Sequence, residues 1–265
     1  MNRLHTALER NGGRTLLGAA CYSHDPAFVE ICAHLGYQAI WIEMEHATIT
    51  FDQAAELCRT AAGSGMLTMI RIADTRRENV LKAAECGPDI IDVPMIESVS
   101  QLDELRYYAR FAPEGGRGFF SISRALNYGI VPSVVDEQRK LNTDLCLMAQ
   151  IETSAAVDRL EELAAAPGID LFVGPADLAS SLGHAGDTAH PDVLAAARTI
   201  VASARRQNKL IATACSPADY PFWLDQGIDL LFCTNNISCL RKAAEEYLED
   251  ARKALTTVLT STTRA

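Results

Sequence analysis

The chain has 265 residues, 48% of them apolar and 22% charged, the balance of a soluble globule with a large core. Thirty-four acidic against 24 basic residues give a net charge of −10, and no basic run offsets it, which argues against nucleic acid as a partner. No apolar run approaches the roughly 18–20 residues that span a bilayer, and eight cysteines without a CxxC pair read as reduced, buried thiols in a cytoplasmic protein rather than as a disulfide framework or zinc site.

In chain order, MNRLHTALERNGG reads as a short amphipathic helix stopped by Asn11-Gly12-Gly13, not as a signal peptide. Residues 15–22 (TLLGAACY) form a first strand, and Asp25-Pro26 starts a helix to Leu35. Residues 39–47 (AIWIEMEHA) alternate as a second strand. There follow a helix over 51–62, a strand over 66–72 (MLTMIRI), a helix over 75–86, a strand over 90–95 (IIDVPM) and a helix over 98–111. The rhythm breaks at 112–143, an insertion holding PEGGRGFFSISRALNYGIVP and a short polar helix from Ser133, of a kind that is more often functional than accidental. It resumes with a strand over 145–151 (LCLMAQI), a helix over 154–166, a strand over 170–173 and the segment Gly174-Pro175-Ala176-Asp177. A helix over 191–207, a strand over 210–214, a helix over 216–226, a strand over 229–233 and a long amphipathic helix over 237–259 complete the chain, with 260–265 expected to fray.

Eight strand–helix units without a linker predict one (β/α)8 TIM-barrel domain over residues 1–265. A doubly wound open sheet competes, but no GxGxxG follows the first strand and no P-loop occurs. In a barrel the active site lies at the C-terminal strand ends. The polar residues expected there are Glu43, Glu45 and His46 from the second strand, Arg71 from the third, Gln150 and Glu152 from the fifth, and Asp177 after the sixth. Any one of them can be a helix cap or an ordinary ion pair, and their convergence on one rim is what marks a site.

Two acids on the inward side of the second strand are costly to desolvate unless a divalent cation or guanidinium faces them. Glu152 and Asp177, from adjacent strands with few other ligands, suit Mg2+ or Mn2+ with water left for a substrate to displace. Zinc fits less well, since only His46 is placed to ligate it. Gln150 is read either as a group for substrate or metal-bound water, or as a buried amide satisfied by backbone. Gly174-Pro175-Ala176-Asp177 can start a helical turn whose N–H groups hold a substrate carboxylate. The five lysines, at 82, 140, 209, 242 and 253, all lie away from strand C-termini, which disfavours a Schiff-base aldolase.

With these residues located, the sequence resembles the HpcH/HpaI aldolase family, metal-dependent (class II) pyruvate aldolases such as 4-hydroxy-2-oxoheptanedioate and 2-dehydro-3-deoxyglucarate aldolases. The resemblance runs from about Leu17 to the last helix, on GYQAIWIEMEHA, MIRI, VPMIES, PEGGRG, QIET and VGPADLASSLG. It implies a (β/α)8 fold, cleavage of a 4-hydroxy-2-oxo acid to pyruvate and an aldehyde through a metal-stabilised enolate, and Mg2+, Mn2+ or Co2+ as cofactor. It further implies His46 and Arg71 as catalytic residues, Glu85 as the acidic partner of His46, Glu152 and Asp177 as metal ligands, and a hexamer built as a trimer of dimers, with the last helix exchanged between neighbouring subunits. The sequence departs from the family at Glu43 and Glu85, where aspartate is usual, at Thr48-Ile49-Thr50, where a proline is usual, and over 119–129, and these bear on the aldehyde accepted.

The mechanism expected from this assignment has Arg71 stabilise the enolate oxygen while His46 takes the proton of the 4-hydroxyl. Two rivals are an acyl-CoA lyase or oxaloacetate decarboxylase on the same site, and a non-catalytic metabolite-binding barrel. The acyl-CoA rival needs a basic entrance for nucleotide phosphates, for which the insertion offers only Arg117 and Arg124 before Arg139. The acceptor pocket is expected from Ser23 and His24, Thr48 to Thr50 and the insertion. His24, His184 and His190 read as unpaired surface residues, and the last helix reads either as covering its own barrel or as exchanged.

Overall fold

The computed structural model describes residues 1–262, the last five of them as backbone. Eight parallel strands close in chain order into a barrel: β1 (Leu16–Cys21), β2 (Ala39–Glu43), β3 (Leu67–Arg71), β4 (Ile90–Val93), β5 (Cys146–Ile151), β6 (Asp170–Val173), β7 (Ile211–Ala214) and β8 (Leu230–Asn235). Helices α1 (Arg3–Arg10), α2 (Pro26–Leu35), α3 (Phe51–Gly63), α4 (Arg77–Glu85), α5 (Val99–Ala109) and α6 (Val134–Asp144) accompany the first half. The second half adds α7 (Ser154–Asp158), α8 (Leu160–Ala164), α9 (Pro175–Ser181), α10 (Pro191–Arg206), α11 (Tyr220–Asp225) and α12 (Asn236–Thr262).

Strand alternation divides the apolar side chains into two cores. Ile40, Ile42, Ile70, Ile91, Leu147 and Leu171 face the helices. Trp41, Met69, Ile90, Met148, Phe172 and Phe232 fill the barrel, joined by Leu4 and Leu8 of α1. Arg3 pairs with Asp89 at 2.7 Å, just before β4, so α1 closes the N-terminal mouth. Trp41 packs edge-on against Phe172 and Phe232, at 5.5 and 5.4 Å between ring centroids. Gly18 makes room for this layer, because a Cβ there would lie 2.6 Å from the Phe232 ring.

On β2 to β5 the next inward residue toward the C-terminal end is polar: Glu43 after Trp41, Arg71 after Met69, Asp92 after Ile90, Gln150 after Met148. Glu43, Arg71 and Asp92 are register partners across three strands. The barrel therefore has an aromatic floor and a charged upper turn.

Several expected bounds move for identifiable reasons. β2 stops at Glu43, not Ala47, because Glu43 Oε1 accepts the backbone N–H of Glu45 and of His46, both at 2.8 Å, and pulls the chain out of the sheet. The helix expected over 154–166 breaks at Arg159 (φ −109°, ψ 14°) into α7 and α8. Of the two readings of the last helix, covering its own barrel is not what this chain does: every residue over 237–257 of α12 is exposed, including Leu240, Tyr247, Leu248 and Leu255. The helix continues through Thr262, past the expected start of fraying, and 263–265 lie outside the described residues. All eight cysteines are free, five of them buried, and burial pushes thiols such as Cys21 up to about 12, so they stay protonated. Among the described residues no helix is long and apolar enough to cross a membrane.

Candidate active site

Arg71 is the centre of the charged turn. Its Nε donates to Glu43 Oε2 at 2.6 Å, and its Nη1 lies 3.3 Å from Gln150 Oε1 and 3.1 Å from Glu45 Oε2. The Glu45 contact is an ion pair without hydrogen-bond alignment, which leaves that buried oxygen short of a partner. The Trp41 ring lies 4.8 Å beneath the guanidinium. Nη2 takes no acceptor among the described residues, and is the donor left for a ligand. Glu43 thus does two jobs, holding Arg71 on one oxygen and the 44–46 turn on the other.

Gln150 is not satisfied by backbone. Its carbonyl faces Arg71 and its amide N–H donates to Asp92 Oδ2. Asp92 is wholly buried, and burial pushes its carboxyl well above the ordinary range. In the sequence it is one polar residue in an apolar strand and gives no reason to be singled out.

Glu152 Oε1 accepts the Met95 N–H at 2.8 Å, while its Oε2 is buried with no partner. Met95 sits at φ +54°, a strained conformation for a side-chain-bearing residue, and this turn is what aims its N–H at the carboxylate. Burial pushes Glu152 up to about 7, with Asp177 adding like-charge repulsion. Asp177 itself is exposed in the first turn of α9. Gly174 is required by close approach, since a Cβ there would lie 2.1 Å from Glu152 Oε2. Gly174→Ala is therefore expected to displace that carboxylate and lower turnover about a hundredfold with the melting temperature nearly kept. Steady-state kinetics beside a thermal melt check this.

These residues fit a divalent cation. Glu43, Glu45, Asp92 and Glu152 gather around one guanidinium, with Asp177 close to Glu45 and Glu152, and the orphaned Glu152 oxygen is a buried acceptor awaiting a charge partner. Among the described residues these acids do not form a three-ligand group with donor atoms within 4.8 Å. Glu152 and Asp177 accordingly suit an ion that fills its other positions with water and substrate, the habit of Mg2+ and Mn2+.

His46 is exposed, with its Nε2 3.6 Å from Glu45 Oε2. The expected Glu85 partner is elsewhere: Glu85 ends α4, which returns the chain to the N-terminal mouth, and it pairs with Arg117 at 2.9 Å. Within one chain the carboxylate beside His46 is that of Glu45. The surface histidines are also not unpaired. His24 meets Glu56 at 3.0 Å. His184 and His190 stack at 3.4 Å between centroids, and His184 lies 3.1 Å from Asp192. These three can approach a common ion, but the His190 side chain accepts the Asp192 N–H as the cap of α10, where the helix dipole opposes a cation.

Beside the charged cluster a cavity of about 720 Å³ is lined by Tyr22, Trp41, Ser216, Tyr220, Thr234 and Asn235. A cavity of about 790 Å³ at the opposite mouth, lined by His5, Arg106, Arg110 and Lys209, lacks the cluster of acids, so chemistry rather than size selects the site.

A profile of the HpcH/HpaI aldolase/citrate lyase family matches residues 21–220. The chain is 33% identical over 196 residues to the 2-keto-3-deoxy-L-rhamnonate aldolase of Klebsiella pneumoniae, covering 73% of this chain and 71% of that protein. It is 30% identical over 220 residues to the hydroxypyruvate/pyruvate aldolase of Chromohalobacter salexigens, covering 82% and 85%. The crystal structure of an HpcH/HpaI aldolase/citrate lyase family protein from Burkholderia cenocepacia J2315 superposes with a TM-score of 0.86 at 30% identity, over 95% of this chain and 100% of that one. A barrel rim built for stabilising negative charge and aldolases alike along most of their length lead to one conclusion: the chain belongs to the HpcH/HpaI aldolase/citrate lyase family and is a carbon–carbon lyase.

Proposed function

We propose that the protein is a divalent-metal-dependent aldolase that reversibly cleaves a 4-hydroxy-2-oxo acid to pyruvate and an aldehyde. The observation that carries this reading is the free Nη2 of Arg71 above a desolvating aromatic floor, beside a buried, unpartnered Glu152 oxygen. Glu152 and Asp177 would hold the ion, which when bound supplies positive charge that polarises the 2-oxo carbonyl. Gly174 to Asp177, at the start of α9, would seat the substrate carboxylate.

Arg71 donates to the oxygen that turns negative as the bond between C3 and C4 breaks, a role that a fixed, half-paired guanidinium fills without reorganising. His46 takes the proton of the 4-hydroxyl as the electron pair of the broken bond moves toward the 2-oxo group. Glu45 is placed to favour the imidazolium that results. The aldehyde leaves, and protonation at C3 completes pyruvate. His46→Ala is expected to lower cleavage at least about a hundredfold while leaving measurable exchange of the pyruvate methyl protons. Equal loss of both reactions would move His46 to a different step.

An acyl-CoA substrate has less support. Arg117 is buried against Glu85, and Arg124 donates to the carbonyls of Cys86 and Gly87, so neither of the insertion's first two basic residues is free for a nucleotide phosphate. A homo-oligomer, with hexamer as the expected state, is supported by the exposed apolar face of α12. Removing 237–265 is expected to give monomers in sedimentation velocity, and an unchanged assembly would contradict that role for the helix.

A further inference from the structure

We propose that Asp92 is a positioning residue of this site, one that sets the direction of the Gln150 amide and through it the Arg71 guanidinium. The inference rests on the aldolase reading above and adds to it a residue outside the reacting set. Asp92 is wholly buried on β4, with Arg71 as its register partner on β3 and Met148 on β5. Its Oδ2 accepts the Gln150 Nε2 proton, while Gln150 Oε1 accepts from Arg71 Nη1 at 3.3 Å. A side-chain amide has one accepting and one donating end, and nothing in its shape tells them apart. Turned over, Gln150 would set its NH2 against the guanidinium, donor against donor. Asp92 is the acceptor that forbids this, and it can do so whether or not it carries a proton. Desolvating a carboxyl is costly, and filling the same inward position with an apolar side chain, as Ile90 does two residues earlier, would avoid that cost.

The arrangement leaves Nη1 committed to Gln150 and Glu45, and Nη2 without an acceptor among the described residues. Loss of Asp92 should therefore misdirect Arg71 without removing it. The test compares Asp92→Ala and Asp92→Asn, each alone and in a Gln150→Ala background, by kcat and KM for Mn2+-dependent exchange of pyruvate methyl protons. Asp92→Ala is expected to lower kcat roughly ten- to a hundredfold with KM changed less than about threefold, as for a small misplacement of a reacting group. Asp92→Asn, which keeps an accepting oxygen, should stay within about threefold of the parent. In the Gln150→Ala background Asp92→Ala should cost less than about twofold, because the two residues act in series. Asp92→Val repeats the comparison should the alanine variant not fold.

An unimpaired Asp92→Ala, an equal loss in both backgrounds, or an Asp92→Asn as poor as alanine would each overturn the inference. Wild-type protein that fails to exchange pyruvate counts against the proposed reaction alone. The inference is then read from Mn2+-dependent oxalate binding by calorimetry, where Asp92→Ala should weaken affinity about tenfold only while Gln150 is present. Unchanged oxalate affinity in Asp92→Ala, or no oxalate binding by the wild type, overturns it.

Discussion

Arg71→Ala is expected to lower cleavage by at least roughly a thousandfold, the scale of losing a principal donor to a developing oxyanion. The side chain is nearly buried and, among the described residues, is the one guanidinium paired with Glu43 and Glu45, so its loss removes both the donor and the counter-charge. Stability should fall as well, by about 3–5 kcal/mol, because Glu43 is left buried without its partner. Arg71→Lys separates the two effects. A lysine restores charge beside Glu43 and should recover most of the stability, but it lacks the planar fork that reaches Glu43, Gln150 and a ligand together. Turnover about a hundredfold below wild type with a near-native melt is the expected outcome. Wild-type turnover in Arg71→Ala would remove Arg71 from the mechanism.

Glu152→Gln is expected to abolish metal-dependent turnover and yet to stabilise the metal-free protein at pH 8. Burial, ahead of the repulsion from Asp177, raises the Glu152 carboxyl to about 7 in the folded chain. An unfolded glutamate titrates near 4.3. As pH rises between these values the unfolded state loses its proton first, so wild-type stability falls across that window, by roughly 3–4 kcal/mol in all, and levels off above 7. Below the window both states are protonated and the effect vanishes. Glutamine cannot ionise, so the variant should show a shallower slope in metal-free urea melts taken from pH 4.5 to 8, keeping only the share of the other carboxyls that burial raises, Asp92 and Glu45. The same proton competes with the ion, so wild-type affinity for Mn2+ should rise about tenfold per pH unit up to pH 7 and then flatten. A wild-type protein whose metal-free stability does not decline toward pH 7 would contradict the burial argument for Glu152.

Much of this architecture was legible in the residues. Strand alternation and eight strand–helix units specify the barrel, and parity on 39–47 and 145–151 already puts Glu43 and Gln150 on the inward side. What the chain does not carry locally is register and direction. Asp92 becomes a neighbour of Arg71 only through the β3–β4 pairing. Glu85 matches a family pattern, but only the path of α4 reveals that it ends at the far mouth, beside Arg117. His184 and His190 are brought into contact by the path of the loop before α10. An amphipathic helix such as α12 has the same periodicity whether it covers its own barrel or another surface, and here it leaves its own.

The most direct test of the account is exchange of the pyruvate methyl protons in D2O, followed by NMR with added Mg2+ or Mn2+ and with a chelator as control. Exchange that requires the ion and is lost in Glu152→Gln and Arg71→Ala is the expected result. Pyruvate that binds but does not exchange under any divalent ion would contradict it.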